Sequence, residues 1–554
     1  MRRILIEGGG HGRRPQRSLT ESVARAARES GAGRRLAAAR ARLADRRVSL
    51  HWSNLFGVVA LACVVVLFVT GLLLMFWYAP SSQRAVYEGS YAPLVGQEAS
   101  AAYVSILHTS FDIGGGLLVR QAHHWAALLL PAAIILQLAV TFFTAAFRRR
   151  RGSWLVLFGL LIVALAGGWS GYALPDDMLS GTGLRIFQGI LLGIPVAGTW
   201  LSWLFFGGGF PGRIIENLYP VHIAVVPALL IGLVWLLARG SSRREPARYP
   251  GDAGVPAYPD DAVRAGGLFA IVTGLLVLMA ATVTVAPVWL SGPSSPGDAS
   301  AGSQPDWYTG FLDGALRLVP PGWEFVWLGR TWTLAILIPL AVVGAFLLAV
   351  AAYPFFEQWV RGPGRDDGLL DRPRNEPTRT GLGVAGLVFY GALWGAGSAD
   401  LVATQFGIGL EDVVHAFQAL VVLGPVAAFV LTRRVCLALQ KKDRDLLLHG
   451  YETGRIVRLP GGEYVEAHAP VPTEQRQRLA GPRSVPPVVI RPDESGRIRP
   501  WTRLRARLAR TYLEDRIVAL PPGLPSRQDR GTPDASGTGE DEIHETSAGR
   551  AGAA

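Results

Sequence analysis

Apolar runs long enough to cross a lipid bilayer alternate along this chain with short loops rich in arginine, and that alternation predicts a bundle of membrane-spanning helices. A crossing helix must supply roughly 20 apolar residues, because no water in the hydrocarbon core can satisfy a backbone N–H or C=O. About eight segments qualify, at approximately 54–78, 116–147, 153–174, 217–238, 266–290, 332–354, 380–397 and 411–436, the seventh interrupted by glycines. Ile190 to Phe206 is also apolar but is broken by Pro195 and Gly198, which predicts a segment lying at the interface.

Arginine placement then predicts orientation, since short loops rich in Lys and Arg stay cytoplasmic. Arg148 to Arg151 follow the second span, and Arg239, Arg243, Arg244 and Arg248 follow the fourth. Arg361, Arg365, Arg372, Arg374 and Arg379 follow the sixth, and Arg433 and Arg434 close the eighth. Both termini are thereby expected in the cytoplasm. The opposite loops are poor in basic residues and hold Leu174-Pro175-Asp176-Asp177 and Gln304-Pro305-Asp306-Trp307-Tyr308, so chemistry is expected on that outer face.

Composition agrees with a membrane class. Half of the 554 residues are hydrophobic and only 17% are charged, too little polar surface to coat a soluble globule of this size. The net charge of +12 comes from loop arginines, which suits anionic lipid headgroups and predicts no nucleic-acid partner. Cys63 and Cys436 are too few for a disulfide framework or a thiolate metal site and are expected as packing thiols. The first 48 residues lack the apolar stretch a signal peptide needs, so insertion is expected to begin at the first span.

Ten histidines are present, and each can be placed. His11, His449, His468 and His544 fall in polar tails, and His51 and His108 fall just outside spans. His415, in the outer half of the last span, is expected as a satisfied bundle histidine in preference to a quinone-pocket residue. His123, His124 and His222 lie inside spans, where ligating side chains are costly and usually mark function. His123 and His222 have similar depth on different helices. They could take the two axial positions of one haem iron, with Arg120 placed for a propionate, or form a hydrogen-bonded pair with no cofactor. The residues alone leave both readings open.

The stretch Gly115 to Ala127 (GGLLVRQAHHWAA) resembles the second helix of actinobacterial cytochrome b. Further matches follow in family order: His51-Trp52-Ser53, Gly171 to Asp177, Ser180 to Arg185, Pro195 to Leu201, Phe206-Gly207-Gly208 and Phe210-Pro211-Gly212. Pro305-Asp306-Trp307-Tyr308, Leu370 to Arg374 and Leu447-Leu448-His449-Gly450 complete the set, so the resemblance spans residues 45 to 475 in round numbers. It implies an all-α polytopic membrane protein of about eight transmembrane helices, a four-helix haem bundle followed by C-terminal helices. The implied division is a basic cytoplasmic segment at 1–48, the haem-binding domain at 49–245, a membrane domain with a quinol-site loop at 246–440, and a cytoplasmic polar tail at 441–554, disordered toward its end.

In this family two b-type haems stack through the bundle, each held by one histidine of the second helix and one of the fourth, with the two ligands on each helix 14 residues apart. That spacing is about 21 Å of helical rise on one face. Counting from His123 reaches Gln137, and counting from His222 reaches Leu236. Both losses fall on the inner haem, so the chain resembles a divergent paralogue expected to carry one haem b, at the outer site. The resemblance further implies menaquinol as substrate, with Asp306 as proton acceptor, Tyr308 as its hydrogen-bond partner and Pro305 shaping the loop. A Pro-Asp turn with two interfacial aromatics is the alternative for that loop. The implied partners are a Rieske iron–sulfur subunit, a cytochrome c subunit, a second copy of the chain within a bc complex, cytochrome c oxidase and membrane lipid. The implied place is the cell membrane. A non-catalytic haem-binding or assembly paralogue is the alternative function, and a transporter explains none of the motifs.

Overall fold

A computed structural model describes residues 29–48, 52, 55–243, 252, 254–295, 297, 304–362, 370–480 and 500–513. Among them, seven helices are long and apolar enough to cross a membrane, and an eighth crossing is made if a bent pair counts as one span. In chain order they are α1 (Leu55–Leu74), α2 (Gly116–Phe143), α3 (Arg151–Ala173), α4 (Ile214–Gly240), α5 (Ala257–Thr282), α6 (Leu334–Arg361), α7 (Pro377–Ala396) and α8 (Leu410–His449). Helix α7 is followed, after a 65° bend, by Ala399–Phe406, so the glycine-interrupted seventh segment is the one that breaks. The apolar stretch before α4 forms two short helices, Met178–Leu192 and Gly198–Phe206, and no span.

Two boundaries differ from the hydropathy pattern, each for a structural reason. The fifth segment, expected to 290, leaves the helix at Val283. Side chains of α2 replace the missing backbone bonds: Gln121 accepts from Val285 N (2.8 Å) and donates to Val285 O (3.0 Å), Trp125 donates to Val283 O (3.0 Å) and Arg120 to Ala286 O (2.7 Å). Helix α8 continues past 436 to His449, because its Leu, Arg, Lys and Gln residues favour helix whether or not lipid surrounds them.

The core lies between α1, α2, α3, α4 and α5. Small residues such as Ala60, Ala62 and Cys63 on α1, Ala122, Ala126 and Ala133 on α2 and Ala164 on α3 are buried there, which lets helix backbones approach closely. Helices α7 and α8 pack on each other, with Gly381 against the Phe429 ring.

At the face carrying the basic loops, a buried ionic network ties the two halves together. Arg148, after α2, meets Glu357 of α6 at 2.5 Å, and Arg361 meets Glu376 at 2.8 Å. Burial opposes the charge on Arg148, but Glu357, Glu376 and Asp371 outweigh it and hold the guanidinium above its ordinary value. Arg372 and Arg374 share Asp443 of α8, at 2.6 and 3.1 Å.

Residues 500–513, expected within a solvated extension, form a helix docked on this network. Tyr512 is buried, bonds the Tyr353 hydroxyl and donates to Glu357 Oε2 (3.2 Å), while Val360 packs against Ala509. Alternating apolar positions among arginines gave the segment one face to bury, a signal masked by its polar composition. The disorder expected toward the end of the tail, and the positions of His11, His51, Ser53, Arg244, Arg248, Arg365 and His544, lie outside the described residues.

Replacing Glu357 by Ala leaves Arg148 buried without its nearest partner and is expected to cost about 3–5 kcal/mol. The purified protein's thermal unfolding midpoint should fall markedly, whereas Asp445→Ala, at the exposed His449 pair, should change stability by about 0.5 kcal/mol or less.

Candidate functional site

The four helices α1 to α4 bring His123 and His222 together. Their ring centroids are 6.2 Å apart with planes at 66°. His123 stands on regular helix, but His222 sits in a wide turn, Val221–Val225, between Pro220 and Pro227. Proline supplies no N–H to the helical ladder, so the backbone there relaxes to i→i+5 bonding, a distortion common at functional sites.

Each imidazole is oriented by a hydroxyl on the neighbouring helix. His123 Nδ1 lies 2.9 Å from Thr70 Oγ1, and His222 Nδ1 lies 3.0 Å from Ser170 Oγ. Thr70 donates its own hydrogen to Val66 O (2.6 Å) and Ser170 donates to Gly167 O (3.0 Å). Both hydroxyls must therefore accept from the rings, which fixes the proton on Nδ1 and leaves the Nε2 lone pair free. That is the tautomer a metal-ligating histidine needs. The residues after these hydroxyls are glycines: a Cβ at Gly71 would stand 3.2 Å from His123 Cε1, and one at Gly171 would stand 2.7 Å from His222 Cε1.

Two buried imidazoles side by side between helices, with no charged partner, are of a kind that could hold a haem iron. Arg120 adds an independent sign. It is buried and spends Nη2 on Ala286 O, while Nη1 is buried with no hydrogen-bond partner, as expected of a guanidinium whose anionic partner is a cofactor propionate.

The positions 14 residues further on do not fit a second iron. Gln137 points toward Gly57 as His123 points toward Gly71, but it donates its amide to Thr141 Oγ1 (3.3 Å) and offers no basic ring nitrogen. Leu236 is half exposed on α4 and cannot ligate.

Above the histidine pair, the Pro305–Tyr308 loop folds back onto the bundle. Trp307 donates to Leu128 O of α2 (3.1 Å), Trp394 of α7 donates to Trp307 O (2.9 Å), and the buried Tyr308 ring lies on Gly168 of α3, where a Cβ would meet it at 2.6 Å. Tyr308 OH donates to Asp306 Oδ2 at 2.8 Å. Burial and the adjacent Asp306 carboxylate hold the Tyr308 phenol well above its ordinary value, so it remains a donor.

His124, which no spacing in the sequence ties to the loop, joins this group in the folded chain. Its Nε2 lies 3.1 Å from Asp306 Oδ1, so both carboxylate oxygens are engaged. Two consecutive histidines on one helix point about 100° apart, and that alone hints at two environments. His415 is corrected: it is exposed on α8 and belongs neither to the bundle interior nor to this site. Cys63 and Cys436 are both buried and free, as expected.

The model of the family described as cytochrome b(N-terminal)/b6/petB matches residues 128–293. The chain is 41% identical over 476 residues to the cytochrome bc1 complex cytochrome b subunit of Streptomyces coelicolor, covering 83% of this chain and 87% of that one. It is 40% identical to the subunit of the same name from Mycobacterium tuberculosis strain H37Rv, covering 82% and 84%. A solved structure titled hyperthermophilic respiratory Complex III shares the fold at a TM-score of 0.54 and 19% identity, over 74% of this chain and 98% of that one.

Asp176, at the rim of the bundle, is pushed up to about 6 by burial, against a weaker opposing hydrogen bond from Ser100. The folded state therefore holds this proton more tightly than the unfolded chain, whose value is 3.8; its contribution to stability is complete below about pH 4 and is lost as the pH rises through about 6. Asp176→Asn is expected to raise stability at pH 7.5 by up to about 3 kcal/mol, seen as a higher thermal midpoint, and to leave the midpoint unchanged near pH 4. A midpoint-against-pH series on both proteins reads this directly.

Proposed function

Since the chain belongs to the cytochrome b subunits of actinobacterial cytochrome bc1 complexes, multi-pass membrane proteins that bind haem b, we propose that it oxidises menaquinol on the Asp306 face and holds one haem b between His123 and His222. The observation that carries this reading is the pair of imidazoles 6.2 Å apart, each fixed by a hydroxyl in the ligating tautomer. Haem b, when bound, supplies a one-electron acceptor, and a Rieske iron–sulfur subunit takes the other electron. Arg120, whose Nη1 is buried with no hydrogen-bond partner, would hold a propionate of that group.

The chain's own residues handle the proton. Asp306 is held by His124 on one oxygen and Tyr308 on the other, on a loop pinned to α2, α3 and α7. A carboxylate so placed accepts the proton of a quinol hydroxyl and returns to its bonded state by passing it to the polar face. Pro305 fixes the backbone entering this loop. The site lies on the outer face and both termini lie in the cytoplasm, in keeping with the arginine loops. The four-part division at 1–48, 49–245, 246–440 and 441–554 is proposed with it, as are a cytochrome c subunit, a second copy of this chain and cytochrome c oxidase as partners.

Gln137 and Leu236 favour one departure from the family's cycle. Without an inner haem, about 20 Å of bundle separates the outer site from the cytoplasmic side. The second electron then goes to a different acceptor, such as the outer site of a partner protomer. The same two residues also favour a second reading, a non-catalytic haem-binding or assembly paralogue.

The purified chain is expected to carry one low-spin b-type haem by pyridine haemochrome assay, lost in His123→Ala and His222→Ala. Two haems per chain would overturn the single-site reading, and none would favour the assembly role. Asp306→Asn should slow menaquinol oxidation by about 10²- to 10⁴-fold while the haem spectrum stays intact. Equal turnover in that variant would remove Asp306 from the chemistry.

A further inference from the structure

Immediately before α6, strands Glu324–Trp327 and Arg330–Thr333 form an antiparallel hairpin that nothing in the described residues covers. Its base is fixed: Leu334 N, the first residue of α6, donates to Trp323 O at 2.7 Å. Its tip is a two-residue turn in which Leu328 (φ 53°) and Gly329 (φ 67°) both adopt left-handed backbone. Glycine, asparagine or aspartate normally occupies such a turn. A leucine at positive φ is strained, and here its side chain projects away from the molecule with 77% exposure.

The strand register sorts the remaining side chains. Phe325 and Trp332 are cross-strand partners with stacked rings 6.2 Å apart, and Trp327 lies 5.5 Å from Trp332 on the same face. Val326, 74% exposed, points to the other face. One face is therefore aromatic, the tip is apolar, and the other face carries Val326 among Glu324, Thr331 and Thr333. An isolated two-stranded ribbon is marginal in water, and one with an exposed aromatic face and an apolar tip is worse.

We propose that this hairpin is a lipid-interface anchor, with Trp327 and Leu328 seated in the headgroup region of the leaflet on the Asp306 face. Continuity with the membrane argues for lipid, since the hairpin runs without a linker into the first apolar residue of a spanning helix. Its four-residue strands reach about 13 Å at most, so the tip cannot leave the neighbourhood of the bilayer surface. Exposed apolar side chains in three directions, the aromatic face, Leu328 at the tip and Val326 on the opposite face, argue the same way, because a docked protein covers one face of a ribbon whereas lipid wets them all. The composition is interfacial as well: indoles, with Arg330 and Thr331 to meet phosphates and water.

The test uses the full chain in lipid nanodiscs, labelled with an environment-sensitive fluorophore at Leu328→Cys and, separately, at Val326→Cys. The native thiols are both buried. Glu463→Cys, on an exposed loop of the opposite end, gives the aqueous reference. The expected result at both hairpin positions is blue-shifted emission, with quenching by headgroup-level nitroxide lipid about twofold or more stronger than by iodide. Iodide quenching equal to that at 463 would overturn the proposal by placing the hairpin in water. Protection from both quenchers would overturn it in favour of a protein seated on the ribbon.

Discussion

Lipid cannot hydrogen-bond a peptide group, and the architecture follows from that constraint. Every crossing segment must close its backbone bonds within itself, so the chain becomes a set of helices joined at two polar surfaces. Departures from helix are tolerated where other groups take over the lost bonds. The extended stretch after α5 is one, since Arg120, Gln121 and Trp125 of α2 occupy its backbone groups. The wide turn at Val221–Val225 is another, where the backbone bonds itself at i→i+5 spacing, and it carries His222.

That economy places the chemistry. Hydroxyls at Thr70 and Ser170 are each bonded to a carbonyl of their own helix, so they can only accept from an imidazole. The glycines after them, Gly71 and Gly171, give the rings room. The two halves of the bundle thus repeat one device, a hydroxyl followed by a glycine on one helix facing a histidine on the next. The device lapses at Gln137 and Leu236, neither of which carries a ring nitrogen.

The Asp306 loop is fixed by packing. Its residues are held by α2, α3 and α7, and the tight approach of Gly314 to the backbone of Leu393 seats the following helix. On the opposite side, the Arg148–Glu357–Arg361–Glu376 network joins the haem-side bundle to the later helices, with Tyr512 closing it.

Hydropathy determined where the crossing helices run, to within their ends, because transfer to lipid depends on composition summed along a segment; together with the arginine-poor loops and the family motifs it drew attention to His123, His222 and the Asp306 loop. It could not find the termination of α5, whose cause is three side chains more than 150 residues away in sequence. It could not find His124 beside Asp306, the tautomers of the two central histidines, or the docked helix at 500–513. Those depend on which atoms of separate helices meet within hydrogen-bond distance, and only tertiary packing decides that.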